Sequence, residues 1–174
     1  IVEVTDMEQG KIHIFTGDGR GKSSAAVGCA MQAACSGKET VIIQFLKGKG
    51  LEDSAFVKRL EPEIKLFRFE KSEADFNELS EEEKAEAILS IRNGMNFARK
   101  VLSTGECDLL ILDEVLGLID NQIITEQELQ EMLSLKQEHT TVILTGIVFN
   151  NDVCLLADQV SKIETVHFKR WDEM

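Results

Sequence analysis

The stretch Lys11–Ser23 reads KIHIFTGDGRGKS, and its three successive parts decide the fold. Lys11–Thr16 is mostly apolar and predicts a β-strand that enters a glycine-rich turn. The segment Lys22–Ser36 beyond the turn is rich in alanine and other small residues, which favours a helix packed closely on a sheet. A strand, a glycine-rich turn and a helix in this order are the setting of a phosphate-binding loop.

The residue types in the turn suit an anionic ligand. Glycines allow backbone N–H groups to turn inward around phosphate oxygens, Lys22 adds a positive charge, and Ser23 offers a hydroxyl to a magnesium ion. The general pattern G-x-x-x-x-G-K-[ST] is not fully met, because Thr16 stands where its first glycine belongs. Asp18 places a carboxylate in the loop, and we expect it to point outward, toward a metal or a ribose. The predicted nucleotide-binding residues are Gly17, Asp18, Gly19, Arg20, Gly21, Lys22, Ser23 and Ser24.

Apolar runs alternate with helical patterns along the rest of the chain. Capping boxes at Ser80 with Glu83 and at Thr125 with Glu128 predict helices that end near Gly105 and Leu135. A short helix is predicted around Asp152–Ala157. Further strands are predicted at Thr40–Leu46, Ile64–Phe69, Asp108–Leu112, Thr141–Thr145 and Val160–Val166. This alternation predicts an α/β, three-layer P-loop NTPase-like (RecA-like) fold with a mainly parallel sheet of about six strands. The chain reads as one domain, 1–174, with 1–10 as a lead segment.

Ligands of parallel sheets bind at the carboxyl ends of the strands. That edge should gather Gly17–Ser23, Gln44–Gly50, the pair Asp113-Glu114 and Thr145–Ile147. Adjacent strand residues point to opposite faces, so Asp113 and Glu114 should have different tasks. One would face a metal ion, and the other would bond the loop or a neighbouring strand.

Composition excludes several classes of partner. The formal net charge is −12 and the sequence pI is about 4.7. An acidic surface repels nucleic acid and anionic membranes, which need Lys/Arg patches. The four cysteines show neither CxxC spacing nor a histidine at zinc-site spacing, which argues against a metal–thiolate site. No apolar run approaches the ~20 residues of a membrane span. A cytoplasmic location is the expectation.

The motifs TGDGRGKSSAA, VIIQFLKG, LLILDEV, VILTG and LLADQVSKIETVHF resemble, in this order, those of the P-loop ATP:corrinoid adenosyltransferases. The loops of that family also lack the first glycine of the general pattern. The resemblance covers 10–168, almost the whole chain, and the loop joined to QFLKG is its most specific part.

The resemblance implies an activity and its participants. A cob(I) corrinoid, of the cobalamin or cobinamide type, would attack the ribose 5′ carbon of ATP and release triphosphate. Lys22, Asp113 and Glu114 would be the catalytic residues, and Ser23 and Glu114 would bind Mg²⁺ or Mn²⁺. A flavodoxin-like reductant and a homodimer are further expectations. Gln44, Lys47 and Phe76 would lie on the ATP or corrinoid side, whereas Phe67 and Phe69 are expected to pack in the core.

The chain departs from the family pattern at the site. The family usually has arginine where this chain has Ile147, and asparagine where it has Asp18; Val115 replaces a residue that is often polar. These departures keep two alternatives open. One is a divergent paralogue that binds ATP or a corrinoid without catalysis, and the other is a different small P-loop ATPase or kinase.

Overall fold

The computed structural model describes residues 9–46, 57–69, 74, 76–147 and 151–166. They form one sheet of six strands in the order β3-β2-β4-β5-β1-β6, and every pair of neighbours is parallel. The strands are β1 Ile12–Thr16, β2 Thr40–Gln44, β3 Ile64–Arg68, β4 Leu109–Asp113, β5 Thr141–Thr145 and β6 Gln159–Lys162. The predicted six-stranded parallel sheet is thereby confirmed.

Helices cover both faces of the sheet. They are α1 Lys22–Cys35, α2 Glu81–Thr104, α3 Leu116–Asp120, α4 Glu126–Leu133 and α5 Asn151–Cys154, with short 3-10 turns at Val57–Leu60 and Phe76–Glu78. The larger core lies between the sheet and α2 and α4, and a smaller core lies under α1. The alanine-rich sequence of α1 explains the smaller core, since Ala26 and Ala30 bring the helix backbone close to the strands.

The predicted helix boundaries follow from local chemistry. Ser80 and Glu83 form a complete capping box at the start of α2, and Gly105 ends that helix in a left-handed conformation. Thr125 and Glu128 cap α4 in the same way. Helix α3 was not predicted, because the apolar segment after Asp113 carries no capping residue: its N-cap is Val115, without a side-chain bond.

Aromatic packing agrees with the sequence. The rings of Phe67 and Phe69 lie 4.7 Å and 5.8 Å from the ring of Phe97 on α2, so both pack in the core as predicted. Within the described ranges, no helix combines the length and the apolar character that crossing a bilayer would require.

Candidate nucleotide site

The site lies at the carboxyl edge of the sheet, where β1, β2, β4, β5 and β6 end. The loop Gly17–Gly21 joins β1 to α1, and Gln44, Asp113 and Thr145 are the last residues of three neighbouring strands. Sequence-distant polar groups therefore meet within hydrogen-bond distance. The predicted gathering of the segments is confirmed, apart from 47–50 and Lys47 in particular, which lie outside the described residues.

Two segments that lie beside the loop hold it in place through hydrogen bonds. The carbonyl of Ile147 accepts from the Gly17 N–H at 3.4 Å and from Thr16 Oγ1 at 3.2 Å. The carbonyl of Ile163 accepts from the Gly19 N–H at 3.0 Å, and the Ile163 N–H donates to Thr16 at 2.8 Å. Residues after β5 and after β6 therefore hold the loop, and they do so through backbone atoms.

Thr16 occupies the position of the missing first glycine without distorting the loop. It is fully buried and still belongs to β1. The conformation that needs glycine falls one residue later, at Gly17, where φ is +110° and a Cβ would lie 2.3 Å from the Ile163 carbonyl oxygen. Threonine is tolerated because its side chain bonds to Ile147 behind the loop.

The start of α1 has the chemistry of an anion site. Gly21 is the N-cap, with φ 114°, and provides no side-chain cap, so the first turn of the helix is left without that partner. Lys22 is only 7% exposed, and its ammonium donates to the carbonyls of Gly17 at 2.7 Å and Gly19 at 2.9 Å. The Lys22 ammonium thus links two residues of the loop that precedes it in the sequence. Arg20 and Ser24 are exposed beside it.

Asp113 lies at the centre of a compact polar cluster. Its Oδ1 accepts from Ser23 Oγ at 2.8 Å and from Thr145 Oγ1 at 2.7 Å, and its Oδ2 accepts from the Gln44 side-chain amide at 3.1 Å. The carboxylate is 2% exposed. These donors fix its orientation toward the loop. The side-chain oxygen of Gln44 is buried and has no hydrogen-bond partner among the residues that the structure describes.

Glu114 differs from the arrangement expected of it. The carboxylate in contact with Ser23 belongs to Asp113, whereas the family resemblance implied Ser23 and Glu114 as the metal ligands. The alternation of strand faces ends at Asp113, because Glu114 adopts a left-handed conformation with φ 61°. Such a conformation costs a non-glycine residue on the order of 1–3 kcal/mol and is concentrated at functional sites. A bond of 2.8 Å from the Glu114 N–H to Thr145 Oγ1 holds this turn.

Asp18 is exposed, as expected, and lies near a cation that the sequence did not single out. Glu164, hydrogen-bonded to Lys162, raises the pKa of the Lys162 ammonium, and the charge of Asp18 acts in the same direction. Asp18 thus lies within electrostatic range of Lys162 at the end of β6, whose ammonium is paired with Glu164. This proximity depends on sheet order, since β6 pairs with β1 from the far end of the chain.

The remaining predicted ligand contacts are less direct. Gln44 is 4% exposed and reaches the site only through Asp113. Phe76 is half-buried and packs against the larger core. Ile147, which replaces an arginine of the family pattern, is 58% exposed, so the substitution changes the side chain at the rim while its backbone still holds the loop.

Comparisons with known proteins identify the family to which this chain is similar. Residues 8–172 match the family described as ATP:corrinoid adenosyltransferase BtuR/CobO/CobP. A corrinoid adenosyltransferase of Escherichia coli K12 is 30% identical over 159 residues, which cover 91% of this chain and 79% of the relative. The corrinoid adenosyltransferase of Salmonella typhimurium LT2 is 29% identical with the same coverage.

A solved structure supports the fold independently. The KaiC-like protein PH0186 of Pyrococcus horikoshii OT3 superimposes with a TM-score of 0.55 and covers 92% of this chain and 76% of its own. Its identity of 15% restricts the likeness to the fold. It agrees with the expected RecA-like architecture.

Proposed function

The chain belongs to the ATP:corrinoid adenosyltransferase family, and we propose that Gly17–Ser23 holds the triphosphate of ATP while the adenosyl group passes to a reduced corrinoid. Membership makes the protein a transferase with ATP and a corrinoid as its substrates. The observation that supports this placement of ATP is the contact between Ser23 and Asp113, directly beside the bridging ammonium of Lys22. These groups bring a cation, a hydroxyl and a carboxylate to one helix N-terminus.

The proposed reaction needs no nucleophile from the protein. The electron pair of cob(I) forms the cobalt–carbon bond at the ribose 5′ carbon, the bond from that carbon to oxygen breaks, and triphosphate leaves with the bonding electrons. Charge therefore grows on the departing oxygen. Lys22 and the first turn of α1 would stabilise that charge, and the loop would hold the triphosphate in line with the corrinoid.

The donor set fits a magnesium or manganese ion. Ser23 and Asp113 offer hard oxygen ligands that lie 2.8 Å apart at the start of α1. Mg²⁺ is commonly bound by one or two protein groups together with phosphates and water. Across the described ranges no group of three His, Cys, Asp or Glu side chains could hold a metal. We propose Ser23 and Asp113 as the holding residues, with Glu114 beside them; the ion would neutralise charge on the triphosphate.

The proposal also includes further substrate contacts, a reductant, an oligomeric state and a cellular location. Lys47 and Phe76 are proposed to contact substrate, and the flavodoxin-like reductant, the homodimer and the cytoplasmic location stay predictions. The comparisons do not favour the non-catalytic binder or another P-loop enzyme.

Inorganic tripolyphosphate tests the proposed role of the loop. It carries the charge of the leaving group without adenosine, so we expect it to compete with Mg-ATP and to raise the apparent KM for ATP without changing kcat. Adenosine alone should compete far less well. Equilibrium binding with a fluorescent ATP analogue provides the same comparison without turnover. Displacement by adenosine but not by tripolyphosphate would show that the loop does not hold the triphosphate.

A further inference from the structure

Thr145 joins both carboxylates of the site through one hydroxyl group. It is the last residue of β5 and is fully buried. Its Oγ1 donates to Asp113 Oδ1 at 2.7 Å and accepts from the backbone N–H of Glu114 at 2.8 Å. The hydroxyl has a single proton, so donation to Asp113 leaves its lone pairs for Glu114. Both bonds are satisfied at once in one orientation.

The sheet order places Thr145 between the loop and the acidic pair. Strand β5 lies between β1, which leads into the loop, and β4, which ends at Asp113. Thr145 and Ser23 donate to the same oxygen of Asp113, from β5 and from α1. Gln44 on β2 holds the other oxygen from the opposite side. Asp113 is thus fixed between two neighbouring strands and the first turn of α1.

We propose that Thr145 is a positioning residue that directs the Asp113 carboxylate toward Ser23 and holds the left-handed turn at Glu114. The role rests on the proposed function, because it concerns the metal–ATP complex assigned to Ser23 and Asp113. Without the hydroxyl, Asp113 Oδ1 would lose the bond of 2.7 Å from β5, and the Glu114 N–H would lose the bond of 2.8 Å to Thr145. The carboxylate could then rotate away from the bound ion.

A second buried threonine, next to the same strand, distinguishes this role from ordinary stabilisation of the fold. Thr140 immediately precedes β5, is also fully buried, and donates its hydroxyl proton to the Cys107 carbonyl at 3.1 Å. It lies at the amino end of the strand, at the opposite edge of the sheet from the loop. Replacement by valine removes one fully buried, hydrogen-bonded hydroxyl in each case, but only the hydroxyl of Thr145 bonds to Asp113.

The test measures binding of Mn²⁺ to the protein–ATP complex in the absence of corrinoid, by the electron paramagnetic resonance signal of the free ion. Thr145→Val is expected to raise the Kd for Mn²⁺ by about 10-fold or more, the range seen when a partner of a metal ligand is lost. Thr145→Ser keeps the hydroxyl and should stay within about twofold of the wild type. Thr140→Val should leave the Kd unchanged. ATP binding without metal should be the same in all four proteins.

Each outcome decides the proposal. Equal Mn²⁺ affinity in Thr145→Val and the wild type overturns the positioning role while leaving the loop assignment intact. Equal losses in Thr145→Val and Thr140→Val also overturn it, since they indicate general destabilisation. Failure of the wild type to bind Mn²⁺ with ATP overturns the proposed metal site itself, and the role of Thr145 with it. Thr145→Cys, with its weaker donor, is measured in parallel and should also weaken binding, so that the test does not depend on folding of the valine variant.

Discussion

Replacement of Lys22 by alanine is expected to lower kcat/KM for ATP by about 10²- to 10³-fold, the loss that follows removal of one preorganised charge-stabilising donor. The ammonium is 7% exposed and lies across the loop, where it contacts the carbonyls of Gly17 and Gly19. It would interact with ATP in the ground state and with the departing triphosphate. Binding and turnover should therefore weaken together, as measured by steady-state kinetics and by equilibrium titration with Mg-ATP.

The chain offers a matched control for this variant. Lys136 also donates its ammonium to two backbone carbonyls, those of Gly10 at 2.8 Å and Gln137 at 3.1 Å. These atoms precede β1 and β5 and thus lie at the amino edge of the sheet. Lys136→Ala should lose two comparable bonds to backbone carbonyls, but its kcat and its KM for ATP should equal those of the wild type. An equal kcat/KM for ATP in Lys22→Ala and the wild type would show that Lys22 does not act in the site.

Asp113→Asn is expected to have the second large effect, which is on the Mg²⁺ requirement. Glu114→Gln is the variant to compare with it. Asparagine removes the charge beside Ser23, so the Mg²⁺ concentration for half-maximal activity should rise by more than about 100-fold, above the range for loss of an indirect partner. The variant should still fold, because the amide oxygen of Gln44, which has no partner within the described ranges, can accept from the new amide after rotation of the Gln44 side chain. Glu114→Gln should raise the same requirement, but by about 10-fold or less.

Asp108 provides the control variant, because it is a carboxylate next to the same strand, at the end away from the site. It directly precedes β4, and its Oδ2 accepts from the Glu39 N–H at 2.9 Å. Asparagine retains an oxygen for that bond, so Asp108→Asn should leave the metal requirement unchanged. A larger effect of Glu114→Gln than of Asp113→Asn would reverse the proposed assignment and return the metal to Glu114, as the family resemblance implied.

Local patterns predicted the parts of the fold that depend on neighbouring residues. The capping boxes at Ser80 and Thr125 and the buried strands are of this kind, because their causes lie within a few residues. Helix α3 was missed because it begins at Leu116 without a local signal: its N-cap, Val115, has no side chain that can cap the helix. The last strand ends at Lys162 rather than Val166, because only Gln159–Lys162 pairs with β1.

The site depends more on contacts between distant segments. The sequence predicted which segments meet, because carboxyl ends of parallel strands share an edge. It did not predict that Asp113 rather than Glu114 contacts Ser23, since the left-handed turn at Glu114 breaks the alternation of faces. Thr145 was also not singled out: a threonine that ends an apolar strand is common, and its role appears only when β5 is placed beside β4.

The most direct test of the assigned activity mixes the protein anaerobically with Mg-ATP and chemically reduced cob(I)alamin. The visible spectrum follows the corrinoid, and triphosphate is assayed in the same samples. We predict a light-sensitive adenosylcobalamin that forms together with one triphosphate per corrinoid. A protein that binds Mg-ATP but yields neither product, with cob(I)alamin or with reduced cobinamide, would contradict the transfer reaction and would identify this chain as a non-catalytic binder.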